Sequence, residues 1–420
     1  MPTGEIRVHR ACWAIAITLT VVWFFTFDRF RPDYLVDEPG HLGNIYHFLE
    51  GKPGWPEHMT MLPGYHFAVA ALWQLHPSLK LLTLARLVTT MTALLAFYGF
   101  GRAWMLIHGR PAGPAVLLLA LLPILQPFTG LAYTDVPGLA FLLLAVASHL
   151  AGRRLIAMLL LGTAICLRQT NVIWAGFLCA AEFFRSGMTR ADFFSRSRWL
   201  LLLLALSGLA VAVALLTAGR LTLGAHSDND LRFNPANIHF AGMLVLVLGF
   251  PVWLAGAPAA WSRLVSSLRA RPAVTAGALG LALATAAGLA LTFSNPHPWN
   301  RDLFWDGCTF TLLRNWPLVW LDAHVALRVL SGLNCVLMAT AIGITLSGQR
   351  RWRELGLALA VGALLPLSNG LVEPRYYIPG AAMVLLLVEL SPATQRRLAA
   401  WWLLLCVVHA PFVAAGRSLW

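Results

Sequence analysis

The stretch WLLLLLALSGLAVAVALLTAG, residues 199–219, contains 21 consecutive residues without one charged side chain. Because an α-helix rises about 1.5 Å per residue, roughly 20 such residues cross the hydrocarbon core of a bilayer. Similar runs recur along the 420 residues, of which 58% are hydrophobic and 12% are charged. Soluble domains usually carry roughly 25% charged residues. The composition therefore predicts an all-α, polytopic membrane protein and excludes a soluble enzyme, a disordered chain and a secreted disulfide scaffold.

The apolar runs predict about 11–13 transmembrane helices in a single membrane domain, residues 1–420. The first run follows Arg7 and Arg10 without a cleavage site, which is typical of a retained signal anchor. Residues 28–80 then form a first outer segment, in which Pro63–Leu75 is too short to span and is predicted to lie in the membrane interface. Residues 82–416 hold the other spans and outer loops. Spans are predicted near 11–27, 82–107, 113–129, 135–151, 154–168, 171–184, 199–219, 238–256, 273–293, 322–347, 354–371, 375–391 and 399–416.

The formal net charge of +13 reports membrane orientation in this interpretation. Basic residues concentrate in short turns, such as Arg153-Arg154, Arg263–Arg271 and Arg350–Arg353. Because cytoplasmic loops collect Arg and Lys, these turns and the N-terminus are predicted to be cytoplasmic. The positive charge therefore does not predict nucleic-acid binding, and the longer connections with acids, aromatics and prolines are assigned to the outer side.

Two adjacent carboxylates, Asp37 and Glu38, lie near His41 in the first outer segment. A carboxylate at the surface of a charge-poor membrane protein suits a general base that deprotonates a hydroxyl. A solvated acidic loop is the alternative interpretation. A zinc site of the HExxH kind needs two histidines one turn apart on a helix, and Pro39-Gly40 disfavours a helix here. The sequence therefore predicts no metal site and no cofactor.

Polar residues interrupt two further apolar stretches on the outer side. Tyr133 and Asp135 precede one predicted span, where Asp135 could alternatively cap the helix. Arg168, Gln169 and Asn171 separate two short apolar segments, and a break of this kind can aim donors at an anion. A plain outer turn is the alternative for this second cluster.

Two later clusters combine arginines with aromatic or polar neighbours. Glu373, Arg375 and Tyr376 lie where a predicted span emerges, and a guanidinium flanked by tyrosines suits a lipid phosphate. A local Glu373–Arg375 ion pair with an aromatic belt is the alternative. His297 and Arg301 belong to a Pro-rich outer loop that could be structural alone.

In the predicted topology, all these clusters lie on the same side of the membrane. The carboxylates come early in the sequence and the cations come later. This division suits a reaction in which a hydroxyl loses a proton and a phosphate leaves. A departing phosphate needs its charge neutralised rather than a proton donor. One Asp with Arg or His around the phosphate would therefore suffice without a metal.

These residues resemble the motifs of the dolichyl-phosphoglucose-dependent alpha-1,2-glucosyltransferases, a family of GT-C superfamily membrane glycosyltransferases. The similarity covers most of the chain as ordered islands. Two further outer loops, 224–235 and His297-Pro298, are also similar to that family. The matching motifs are Asp37-Glu38 with His41, then Trp55, Thr60 and Leu62-Pro63-Gly64, then Tyr133-Thr134-Asp135, then Arg168-Gln169-Thr170-Asn171 with Ile173-Trp174, and last Glu373 with Arg375-Tyr376.

The resemblance implies an inverting transfer from a polyprenyl- or dolichyl-phosphate sugar. It implies Asp37 as the catalytic base and Glu38 as a partner that binds acceptor or tunes the base. Arg375 is expected to bind the donor phosphate, with Arg301 as a second candidate. The remaining residues are expected to contact donor or sugar, or to brace the site: His41, Tyr133, Asp135, Arg168, Gln169, Asn171, His297, Glu373 and Tyr376.

The sequence thus predicts a hexosyltransferase that moves a sugar, glucose by resemblance, to a hydroxyl of a lipid-linked or cell-envelope glycan. A related transferase for mannose or arabinose is one alternative, and a transporter or flippase of a polyprenyl-linked glycan is another. The expected partners are membrane lipids, the sugar donor and the glycan acceptor. Because 29 of the 31 basic residues are Arg, a GC-rich bacterial source is expected, with the site facing the periplasm. A eukaryotic source would place the site in the endoplasmic reticulum lumen.

Overall fold

The protein is described by a computed structural model that covers residues 3–31, 33–35, 37–56, 59–184, 189–218, 232–301 and 312–414. These residues form helices and contain no strand, which confirms the all-α class. The helices are α1 Thr3–Phe30, α2 Glu38–Leu49, α3 Gly64–Leu75, α4 Leu81–His108, α5 Gly113–Leu121, α6 Asp135–Leu150, α7 Arg154–Leu167, α8 Val172–Phe183, α9 Arg190–Ala218, α10 Ala236–Ala270, α11 Pro272–Leu291, α12 Pro298–Arg301, α13 Leu312–Ala323, α14 Val325–Ser347, α15 Trp352–Leu367, α16 Ile378–Leu387 and α17 Pro392–Ala414.

Within this described part of the chain, 7 helices are long and apolar enough to cross a membrane. They are α1, α4, α9, α10, α11, α14 and α17. The other predicted spans correspond to shorter helices, such as α6 with 16 residues and α7 with 14. A helix of that length rises only about 21–24 Å. A helix of this length crosses the bilayer only when a non-helical segment, buried within the protein, covers the remaining distance. The integral membrane class is therefore supported, while the count of 11–13 spans stays a prediction.

Two sequence-based expectations about local structure are wrong. The basic turn expected at 263–271 is helical up to Ala270, because the polar residues there simply extend α10 beyond its apolar part. The segment after Asp37 was expected not to be helical, yet α2 begins at Glu38. Pro39 lies in the first turn of α2, where the missing N–H would have no helical acceptor and costs nothing. The expected short helix at 63–75 is present as α3.

The described residues group into two compact units. The first comprises 1–229, 353–365 and 375–388, and the second comprises 230–352, 366–374 and 389–420. The predicted single domain over 1–420 stays a prediction, because the chain passes between the two units several times rather than once.

The first unit is built around α4 and α6. These helices pack together, α6 packs on α7, and α1 packs on α5. A glycine permits the closest approach: a Cβ on Gly99 would lie 2.8 Å from the backbone N of Leu144. In the second unit, α14 packs against α10 and α11.

Replacing Gly99 with Ala is expected to destabilise the protein by about 1–3 kcal/mol, because the added methyl group forces two backbones apart. Gly176→Ala is the matched control, since a Cβ at this helical glycine meets nothing within 4 Å. The control is expected to keep or gain stability, by up to about 1 kcal/mol of helix propensity. Thermal unfolding in detergent measures both, and equal midpoints for the two variants would contradict the packing described.

Candidate active site

Four short segments of the first unit meet at the site. Asp37 immediately precedes α2, Tyr133 and Thr134 precede α6, Arg168 lies between α7 and α8, and Arg375 lies in a 3₁₀ turn before α16. Each segment is a helix end or a break between helices. The structure therefore brings together motifs that are more than 300 residues apart in the sequence.

Asp37 and Arg375 form an ion pair. Nη1 of Arg375 lies 2.7 Å from Oδ2 of Asp37, and the Asp37 side chain is 41% exposed whereas that of Arg375 is 10% exposed. The backbone N–H of Asp37 donates to the hydroxyl of Tyr133 at 3.1 Å. Asp37 is thus held at its backbone N–H by Tyr133 and at its carboxylate oxygen by Arg375, while part of its side chain is exposed.

Asp135 and Arg168 form a second ion pair, with Nη1 of Arg168 at 3.0 Å from Oδ2 of Asp135. Both side chains are largely buried, at 3% and 11% exposure for Asp135 and Arg168. Thr134, rather than Asp135, holds the N-cap position of α6, and its side chain makes no capping hydrogen bond. Helix capping therefore does not account for Asp135, whose charge is compensated by Arg168.

Aromatic rings connect the two ion pairs. The guanidinium carbons of Arg168 and Arg375 each lie 5.6 Å from the ring centroid of Tyr376. Arg375 also lies 5.2 Å from the ring of Tyr133. These distances are within the range of cation–π attraction, so the rings help to hold two like-charged guanidinium groups near each other. The cluster thus contains two carboxylates, two guanidinium groups and the rings of two tyrosines.

Glu38 does not take part in this open cluster. Its side chain has 0% exposure and pairs with Arg86, whose Nη2 lies 2.6 Å from Oε2 of Glu38. Of the two roles that the resemblance implied for Glu38, acceptor binding or tuning of the base, this burial favours the second. Sequence reasoning missed Arg86, although an arginine within an apolar span was itself a signal of a paired or functional group.

His41 lies behind the cluster and hydrogen-bonds to His66, with 3.1 Å between Nδ1 of His41 and Nε2 of His66. The His41 ring meets Tyr133 edge-on at a centroid distance of 5.3 Å. Burial, which disfavours the charged imidazolium, lowers the pKa of His41 from 6.5 to about 4. Burial likewise lowers the pKa of His66 well below its ordinary value. His41 is therefore neutral near pH 7 and suits support of Tyr133 better than binding of a phosphate.

Gln169 and Asn171 brace the backbone of the site. Nε2 of Gln169 donates to the carbonyl oxygen of Thr60 at 2.9 Å, and its Oε1 accepts from the backbone N–H of Leu62 at 3.2 Å. Nδ2 of Asn171 donates to the carbonyl oxygen of Ala164 at 3.0 Å. Of the two predicted possibilities, donor contact or bracing, these hydrogen bonds favour bracing.

A glycine of the Leu62-Pro63-Gly64 motif strengthens the same connection. A Cβ on Gly64 would lie 2.6 Å from the carbonyl oxygen of Cys166, so the start of α3 rests directly on the end of α7. A second glycine, Gly138, gives Asn171 its space, since a Cβ there would lie 2.8 Å from Nδ2 of Asn171. Close packing thus explains the glycines at positions 64 and 138, which the sequence alone did not explain.

The remaining predicted residues, His297, Arg301 and Glu373, belong to the second unit. Nε of Arg301 donates to the carbonyl oxygen of Asn295 at 2.6 Å, and its Nη2 lies 3.4 Å from Oδ2 of Asp322. His297 lies beside Gly370, and Glu373 is buried. Most of the predicted outer loop 224–235 and the residues 302–311 lie outside the described residues.

Asparagines that sequence reasoning missed organise the segment before Glu373. Nδ2 of Asn234 and Nδ2 of Asn300 donate to the carbonyl oxygen of Gly370 at 2.6 and 3.1 Å. Oδ1 of Asn300 also accepts from the backbone N–H of Val372 at 3.0 Å. Both asparagines are fully buried, so they replace the backbone partners that a helix would have supplied.

The two buried histidines predict a pH-dependent stability. Because their pKa values are lower in the folded than in the unfolded state, the stability they contribute is present above pH 6.5 and is lost as the pH falls, for His41 towards about 4. For His41 this loss amounts to about 3 kcal/mol. His41→Phe, which cannot titrate, is expected to lose less stability than wild type between pH 7 and pH 4.5.

Unfolding midpoints at several pH values measure this effect as the difference in slope between variant and wild type. His76→Phe, at an exposed position after α3, is the matched control and should keep the wild-type slope. The explanation would be refuted by parallel pH profiles for His41→Phe and wild type.

Comparisons with known proteins agree with the motifs in the first part of the chain. Residues 31–196 match the model of the DIE2/ALG10 family. The human Dol-P-Glc:Glc(2)Man(9)GlcNAc(2)-PP-Dol alpha-1,2-glucosyltransferase is 26% identical over 202 residues. That match covers 43% of this chain and 42% of the relative, so the chain matches less than half the length of this relative.

Two solved structures also match most of this chain at low sequence identity. ArnT from Cupriavidus metallidurans, bound to undecaprenyl phosphate, has 15% identity and a TM-score of 0.40, with 98% of this chain and 80% of ArnT covered. The oligosaccharyltransferase of Archaeoglobus fulgidus has 14% identity and a TM-score of 0.46, with 98% and 51% covered.

The segment 31–196 holds Asp37, Tyr133, Asp135 and Arg168, four of the charged or aromatic groups that form the site. The family match covers four of the five motifs from which the resemblance was predicted, and the fifth, Glu373 with Arg375-Tyr376, lies beyond it. The predicted resemblance to the alpha-1,2-glucosyltransferases that use dolichyl-phosphoglucose is therefore confirmed, through the DIE2/ALG10 family match over residues 31–196.

Proposed function

We propose that this protein is an inverting, GT-C type glycosyltransferase. It transfers a hexose, glucose by resemblance, from a polyprenyl- or dolichyl-phosphate donor to a hydroxyl of a lipid-linked or cell-envelope glycan on the outer side of the membrane. The single observation that carries the proposal is the partly exposed Asp37 carboxylate, 2.7 Å from the guanidinium of Arg375. A base and a phosphate-binding group then lie side by side.

Asp37 is the base in this proposal because its carboxylate alone, among the acids gathered here, is open to solvent. Its side chain is 41% exposed, against 3% for Asp135 and 0% for Glu38. A base must come within hydrogen-bond reach of the proton it removes, so an accessible carboxylate is required. Asp135 and Glu38 instead hold arginines and backbone in place.

Arg375 is the group proposed to bind the donor phosphate. Guanidinium binds phosphate through two parallel hydrogen bonds, and Arg168, which also lies 5.6 Å from the Tyr376 ring centroid, adds a second positive charge. A phosphate on Arg375 would replace Asp37 as its partner and thereby release the carboxylate to act as a base. The two arginines supply the charge neutralisation that the leaving phosphate needs, so the proposal requires no metal and no cofactor.

The proposed step is a single displacement. The acceptor hydroxyl transfers its proton to Asp37 while its oxygen forms a bond to the anomeric carbon of the sugar. The bond from this carbon to the phosphate oxygen breaks, and the polyprenyl phosphate leaves with the electron pair. Attack opposite to the leaving phosphate inverts the configuration at the anomeric carbon.

The setting of the reaction is part of the same proposal. A bacterial inner membrane with a periplasmic site fits the arginine-rich composition, and the endoplasmic reticulum lumen is the corresponding side in a eukaryote. Transfer in detergent needs no second compartment and therefore separates this function from that of a transporter.

Asp37→Asn is expected to lower the rate of sugar transfer by at least about 10²-fold, because the amide cannot accept the proton. Purified protein is incubated with polyprenyl-phosphate glucose and with the mannose and arabinose analogues, in the presence of a chelator, and products are read by mass spectrometry. Asp33→Asn is the matched control, an exposed acid of the same segment, and should transfer at the wild-type rate. Wild-type turnover by Asp37→Asn would overturn the assignment.

Arg375→Lys is expected to raise the donor KM by about 10- to 100-fold, since an ammonium group cannot form the paired hydrogen bonds of guanidinium. Arg102→Lys, an exposed substitution in α4, is the matched control and should leave the donor KM unchanged. Initial rates at varied donor concentration measure both. An unchanged donor KM in Arg375→Lys would mean that another residue binds the phosphate.

A further inference from the structure

Arg86 lies in the second turn of α4, a candidate membrane span, and its side chain has no exposed surface. Its hydrogen bonds occupy the whole guanidinium group. Nε donates to Oε1 of Glu38 at 2.9 Å, and Nη2 donates to Oε2 of Glu38 at 2.6 Å and to the carbonyl oxygen of Asp33 at 3.0 Å. Nη1 donates to the carbonyl oxygens of Phe27 at 2.9 Å and of Arg31 at 2.7 Å.

The five bonds match the five N–H groups of a guanidinium. Arg86 therefore ties the end of α1, the connection that follows it and the start of α2 to one point on α4. A lysine at this position has three donors and no planar fork, so it cannot reproduce the pattern.

Glu38 extends this network to the segment before Asp37 and to the segment before α6. Its Oε2 also accepts from the backbone N–H of Leu35 at 2.9 Å, and its Oε1 accepts from the backbone N–H of Ala132 at 2.8 Å. Ala132 is the neighbour of Tyr133, whose hydroxyl accepts the N–H of Asp37 at 3.1 Å. Asp37 is thus held twice, through its peptide bond to Glu38 and through Tyr133.

We propose that Arg86 is a positioning residue for the base Asp37, acting through Glu38 and Ala132. This inference rests on the proposed function, in which Asp37 removes the acceptor proton. Because the Arg86 side chain is fully buried, it is out of reach of substrate. In this proposal it acts on the position and direction of the Asp37 carboxylate.

Physical reasons favour positioning over a simple contribution to stability. A buried ion pair gives little net stability compared with apolar side chains, because both charges lose their hydration. Its directional bonds, by contrast, fix the backbone that carries Asp37. A displacement of a reacting group by about 1 Å costs about 10²-fold in rate.

The test compares Arg86→Lys with a matched disruption of a buried pair elsewhere in the first unit. Glu182→Gln removes the carboxylate charge from the contact between Glu182 and His149, whose Oε1 and Nε2 atoms lie 2.9 Å apart in a pair that is 4% exposed on both sides. His149 lies near the end of α6 opposite to Asp135, about 21 Å away along the helix. This control reports what the loss of a buried pair does without displacing Asp37.

The rate of transfer per donor-binding site, the donor KM and the unfolding midpoint are measured for both variants in detergent. Arg86→Lys is expected to lower kcat by about 10- to 100-fold while the donor KM stays within about twofold of wild type. Glu182→Gln is expected to keep kcat within about twofold, at a similar loss of thermal stability. If Arg86→Lys yields no folded protein, Glu38→Gln, which keeps the side-chain volume, is measured against the same criteria.

Two results would overturn the positioning role: a wild-type kcat in Arg86→Lys, or an equal fall of kcat in Glu182→Gln. A different pattern would overturn the proposed function itself. In that case wild type fails to transfer from every donor offered, or Asp37→Asn transfers as well as wild type. The two failures are therefore distinguishable within one set of measurements.

Discussion

A charged side chain inside a helical membrane protein must find a partner, because neither lipid nor apolar side chains replace the water it loses. In the first unit, three buried contacts meet this requirement between different segments, so pairing determines which segments can be neighbours. The contacts are Glu38–Arg86, Asp135–Arg168 and His149–Glu182. Apolar packing depends on the shape of the helix surfaces, and each of these contacts also determines which two residues face each other.

The site follows from the same constraint. Buried pairs hold the backbone around Asp37, and Asp37 with Arg375 is the pair that keeps contact with solvent. Among the described acids of this cluster, Glu38 and Asp135 are buried and paired with arginines, and Asp37 is partly exposed.

The sequence predicted which motifs lie together, but not which of their side chains are buried. Hydropathy alone gave the membrane class, and the motifs gave Asp37, Tyr133, Arg168 and Arg375 as members of one site. Adjacent residues such as Asp37 and Glu38 could not be separated, because their opposite exposure depends on Arg86, 48 residues later in the chain.

Local rules failed where tertiary contacts decide. Pro39 starts a helix instead of preventing one, since the first turn tolerates proline. For Gln169 the sequence left donor contact and bracing open, and only the three-dimensional contacts show that it holds the backbone at Thr60 and Leu62. The direct contact between Gly64 and the carbonyl group of Cys166 adds a mechanical consequence, because two touching backbones cannot yield by rotating a side chain. The first outer segment and the turn that carries Arg168 must therefore move as one rigid piece, and a substitution that shifts α3 will be transmitted to Arg168.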